Sequence, residues 1–137
     1  MPRFHWFILL LMAFAVHAHE ASSLFDRLGG QAGVERIADQ LIERSRHAED
    51  TKRSFVKVDI VKLKASLARQ LCELSDGPCS YQGDDMRRVH KGLGITEREF
   101  YAMVQQLREL LNELGVDEAS KNELLARLAP MKKDVIE

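Results

Sequence analysis

Apolar residues recur at helical spacing in four segments of this chain, and no stretch alternates apolar and polar residues as a half-buried strand does. That pattern restricts the fold to an all-α arrangement. In the first segment Val34, Ile37, Ala38, Leu41 and Ile42 form one stripe behind the breaker Gly29-Gly30, with a short turn over Ser22 to Leu28 ahead of it. Asp59 is placed to cap the second helix, whose stripe is Ile60, Leu63, Leu67, Leu71 and Leu74. Asp76-Gly77-Pro78 and Gln82-Gly83-Asp84-Asp85 carry turn chemistry, so residues 75–85 read as a loop. Thr96 and Glu99 form a capping box for a third helix carrying Phe100, Met103, Val104, Leu107, Leu110, Leu111 and Leu114, which Gly115 ends. A second capping box, Ser120 with Glu123, is expected to open the last helix with Leu124, Leu125 and Leu128, and Pro130 to perturb its end.

A chain of 137 residues has room for one domain. With 20 Lys and Arg against 21 Asp and Glu it has no basic field to hold nucleic acid or an anionic membrane. Arg3 and His5 precede an apolar run from Phe7 to Val16, and Val16-His17-Ala18 offers a cleavage site, so residues 1–18 read as an export signal and 19–137 as the mature domain. The rival reading is a membrane anchor, but the apolar core is about ten residues where a span needs about 20. Cleavage implies a periplasmic or secreted protein; an uncleaved segment would leave it tethered by its N-terminus. In an oxidising compartment Cys72 and Cys79 are expected to form a disulfide, either a structural staple or a redox switch.

The segment from Met86 to Ile95 is too short to be a stable helix in isolation, so its placement must come from elsewhere. Met86, Val89, His90 and Leu93 fall at i, i+3, i+4 and i+7, which puts His90 on the expected buried face among apolar residues. A neutral imidazole there has a nitrogen to satisfy against a backbone carbonyl or to give to a metal.

The stretch from Ser23 to about Val135 resembles a group I truncated haemoglobin. The resemblance is carried in order by Leu24-Phe25-Asp26-Arg27-Leu28-Gly29-Gly30, Phe55, Leu63-Lys64, Gly77-Pro78, Tyr81, Gly83, Met86, Val89-His90, Gly92, Gly94-Ile95-Thr96, Phe100 and Ala129-Pro130. It implies a two-over-two helical sandwich around a haem b, with His90 as the proximal iron ligand and a diatomic gas (oxygen, CO or NO) as the bound partner. Phe55, Leu63, Leu67, Met86, Val89, Leu93, Ile95, Phe100 and Met103 are then expected near the ring, and Lys62 or Arg87 near a propionate. No Cys-x-x-Cys-His attachment motif occurs, so the haem is expected to be non-covalent.

The chain departs from the family on the distal side. Where many members carry a tyrosine and a glutamine, the matching positions are Ile42, Leu63 and Leu67, none of which can donate a hydrogen bond to a gas. A shifted register would bring in Ser66 or Gln70. Neither His47 nor His19 is placed to serve as a second axial ligand. Two other function classes compete with gas binding: a haem-free helical interaction domain with His90 merely buried, and a nitric oxide dioxygenase or peroxidase-like enzyme. Turnover would need a reductant, and the sequence carries neither a docking motif for one nor a nucleophile and base set beside the histidine.

Overall fold

The computed structural model describes residues 22–137, so the expected export signal and its cleavage site lie outside the described residues. Those residues fold into helices with no strand. They are α1 (Leu24–Arg27), α2 (Gly30–His47), α3 (Ile60–Leu74), α4 (Met86–His90), α5 (Glu97–Glu113), α6 (Glu118–Leu128) and α7 (Lys132–Val135). Single 3-10 turns lie at Lys52–Phe55 and Ala129–Met131. Helix α2 packs on α3 and crosses α5, and α6 lies beside α5 and α1, giving two helices over two.

Each long helix starts where its sequence provides a cap. Asp59 accepts from the Lys62 amide at 3.1 Å to begin α3, and Thr96 and Glu99 satisfy each other's backbone N–H groups at the start of α5. Gly33 lets the end of α1 lie directly on α2, since a Cβ there would stand 1.9 Å from the Leu28 carbonyl oxygen.

The start of the last helix differs from the sequence expectation. Asp117, not Ser120, is the N-cap, accepting from the Ser120 amide at 3.0 Å and the Ser120 hydroxyl at 2.6 Å. These bonds also hold the Asp117 carboxyl below the usual carboxylate range. Ser120 and Glu123 are instead both taken by the Arg27 guanidinium, which ties α1 to α6.

The core is made where α2, α3, α5 and α6 meet, from Val34, Ile37, Leu41, Ala68, Leu71, Leu107, Leu110, Leu111 and Leu124. A closed polar ring braces the corner after α2. Ser45 donates to Gln106 at 2.6 Å, Gln106 to the Thr51 hydroxyl at 3.2 Å, and Thr51 to the Ser45 carbonyl at 2.6 Å. Every member of that ring is partnered, as burial of Ser45 and Thr51 requires.

Cys72 and Cys79 are joined in a disulfide with their Cα atoms 5.7 Å apart, closing the first part of the loop onto the end of α3. Reduction is expected to cost about 2–3 kcal/mol through the freed unfolded chain, read as a lower urea midpoint with dithiothreitol. Leu110→Ala, in the fully buried layer, is expected to cost about 2–5 kcal/mol by the same measurement.

Candidate functional site

The apolar residues expected to surround His90 behave differently from those of the core. Phe55, Leu63, Leu67, Met86, Phe100 and Met103 are only half-buried, and Val89 and Leu93 are 42% and 39% exposed. The face of α4 expected to be buried is therefore partly open, and it holds His90 beside apolar surface on which a flat macrocycle can rest. Ile95 and Ile42 are the exceptions, at 7% and 1% exposure. Ile42 lies on α2 and Leu63 and Leu67 on α3, so these three come from the two helices of one layer.

Helix α4 is one turn and a residue, opened by Asp85, which accepts from the Arg88 amide at 2.9 Å. It packs against α7. The imidazole of His90 stands with Nδ1 2.8 Å from the Met86 carbonyl oxygen. A carbonyl oxygen only accepts, so Nδ1 carries the proton and the Nε2 lone pair is left free. That is the tautomer a metal-ligating histidine needs, with the backbone fixing the ring's orientation.

One neutral nitrogen in an apolar setting suits an iron already held by four ring nitrogens. A free cation would need more ligands, and no group of three or more His, Cys, Asp or Glu able to hold one occurs among the described residues. The residues present therefore fit a haem.

Opposite α4, Gln70 points across from α3, its Nε2 3.3 Å from the Met86 sulfur and 3.7 Å from that of Met131. Ser66 is exposed. Of the two polar side chains that a register shift would have introduced, Gln70 is the one that reaches toward α4. Met131 beside it carries no helical-stripe signal in the sequence. Arg87 is engaged with Asp134 at 3.2 Å, and Lys62 lies 3.9 Å from Asp59. Beside Phe55, the Ser54 hydroxyl is buried with no hydrogen-bond partner.

At the start of α5, Glu99 binds the Arg53 guanidinium, with Oε2 2.6 Å from Nη2. This bond, helped by the Thr96 amide and opposed by burial, holds its carboxyl below the usual range.

The fold is thus that of a two-over-two globin, with the Nε2 of His90 left free beside apolar side chains. The sequence matches the bacterial-like globin family over residues 23–137, and the chain belongs to that family. It is similar to the group 1 truncated hemoglobin GlbN of Nostoc commune, 30% identical over 115 residues covering 84% of this chain and 98% of the relative. It is likewise similar to that of Synechocystis, 31% identical over 125 residues covering 84% and 98%. Among solved structures it resembles the Fe(III) form of truncated hemoglobin from Tetrahymena pyriformis, with a TM-score of 0.80 and 26% identity over 84% of this chain and 98% of that one.

Because the Glu99 pKa is depressed in the fold, its contribution to stability is complete above about pH 4.3, the unfolded value, and is lost as pH falls through the lower folded value. Urea midpoints of the wild type and Glu99→Gln are expected to differ at pH 6 and to converge on acidification.

Proposed function

We propose that this chain is a haem-binding, gas-binding protein in which His90 is the proximal ligand and Ile42, Leu63 and Leu67 form an apolar distal wall. Haem with its iron, and a diatomic gas as ligand, follow from membership of the globin family and from similarity to truncated hemoglobins. The iron supplies an open coordination position for a small diatomic molecule. The observation that carries the role of His90 is the Nδ1–H bond to Met86, which leaves the Nε2 lone pair available to a metal.

The remaining residues shape the site around that nitrogen. Val89 and Leu93, just before and three residues after His90, present exposed apolar surface, and Phe55, Phe100 and Met103 are half-buried apolar side chains that a ring could cover. Ile42, Leu63 and Leu67 offer no hydrogen-bond donor, and the Gln70 amide is turned to the Met86 and Met131 sulfurs, so a ligand that gains from a donor is held less firmly than one that does not. CO and NO, which depend less on a donor, are favoured over long oxygen residence. The disulfide between Cys72 and Cys79 supports an exported protein working in an oxidising compartment.

Haemin titration of the full chain is expected to give a Soret band at one haem per chain that shifts with CO after reduction, and His90→Ala is expected to degrade it. Equal, poor haem uptake by both proteins would favour a haem-free helical interaction domain. Leu63→Gln, which installs a distal donor, is expected to slow oxygen release about tenfold or more, since a hydrogen bond to a charged acceptor contributes about 1.5–3 kcal/mol. Flash photolysis of the oxygen and CO complexes measures this, with CO release little changed.

A further inference from the structure

The turn that follows His90 is gripped from two sides by charged side chains distant in sequence. On one side Glu137 accepts from both glycine amides of the turn, Oε1 from Gly92 at 2.7 Å and Oε2 from Gly94 at 2.7 Å. Its own backbone N–H donates to the Ile95 carbonyl at 3.0 Å. On the other side Arg53 donates to the Leu93 carbonyl at 3.2 Å and to the Gly94 carbonyl at 2.7 Å. The same guanidinium is held by Glu99, so it is itself anchored to the first turn of α5. Both backbone polar groups of Gly94 are therefore tied to ions, one from the corner before α3 and one from the second residue after α7.

The glycines make this grip possible. Gly92 and Gly94 have φ of +79° and +59°, and a Cβ at either would meet nothing within 4 Å. They are required for backbone conformation and not for space, because these angles turn the amides toward one carboxylate. The Leu93 N–H in turn bonds the His90 carbonyl at 3.1 Å, so the clamped turn is continuous with the histidine.

Five residues of helix have too few internal bonds to hold a fixed place. We propose that Arg53 and Glu137 are positioning residues for His90, fixing where Nε2 stands by clamping residues 91–95 between the corner before α3 and the C-terminal segment. The assignment rests on His90 being the iron ligand. Hydrogen bonds from a charged group are about twice as strong as neutral ones, which suits the clamp to an exposed turn.

Hydrogen exchange of the full chain as purified, followed on peptides covering residues 91–95, is the first measurement. Glu137→Ala is expected to speed exchange there about tenfold or more, with α2 and α5 unchanged, as for local opening without global unfolding. In the haem-loaded ferrous protein, the iron–histidine stretching band is expected to shift or broaden and haem loss to accelerate several-fold. Glu137→Gln, which retains one acceptor oxygen, and Arg53→Lys, which retains the charge without the fork, are expected to fall between wild type and the alanine variant. Unchanged exchange in Glu137→Ala overturns the clamp. Faster exchange with an unchanged iron–histidine band and haem loss overturns the positioning role. The His90→Ala spectrum keeps the two readings apart: a wild-type Soret band in that variant removes His90 as ligand, and the positioning role with it, whatever the exchange result.

Discussion

A helix of five residues cannot determine its own position, and this constraint governs the arrangement around His90. What fixes α4 comes from outside it: the Asp85 cap, packing on α7, the Arg87–Asp134 pair and the ions that grip the turn after His90. The imidazole then needs one further bond, to the Met86 carbonyl, to settle its tautomer. Position comes from long-range contacts and protonation from a local one.

The core and the site divide the apolar residues between them. Leu107, Leu110 and Leu111, in the second half of α5, are buried against α2, α3 and α6, whereas Phe100 and Met103 in its first half are only partly covered. In α3 the split also runs along the helix: Leu63 and Leu67 in its first half are half-buried, while Ala68, Leu71 and Cys72 in its second half are buried. Each helix therefore has one part inside the core and another left partly open. A substitution's place along the helix decides which of the two it disturbs.

Local signals in the sequence were sufficient for the elements. The stripes at helical period, the Asp59 cap, the Thr96–Glu99 box and the loop over 75–85 all match the structure, because each is decided by residues within a few positions of one another. The start of α6 was misread because Asp117 and Ser120 are both good caps one turn apart. The choice is settled by Arg27, which lies in α1 and claims Ser120 and Glu123 for itself. Arg53, Met131 and Glu137 were not legible as site residues for a related reason, and Gln70 entered only as a register alternative. Nothing near them in sequence reveals that they converge on residues 86–95. His90 was legible as a ligand only through the family resemblance, since its four-residue spacing taken alone suits a core histidine equally well. The structure adds the bond at Nδ1 and the exposed apolar flanks.

The disulfide also sets how far α4 can stray. With Cys72 and Cys79 joined, the free chain between the ring and Met86 is only Ser80 to Asp85, a leash of about 20 Å at full extension. Without the bridge the leash runs from the end of α3 and is nearly twice as long. An imidazole on a short leash searches a small volume and is present at its docking place at high effective concentration, even while the turn beyond it is open. The covalent ring thereby limits, from a distance, the space in which the histidine must be found.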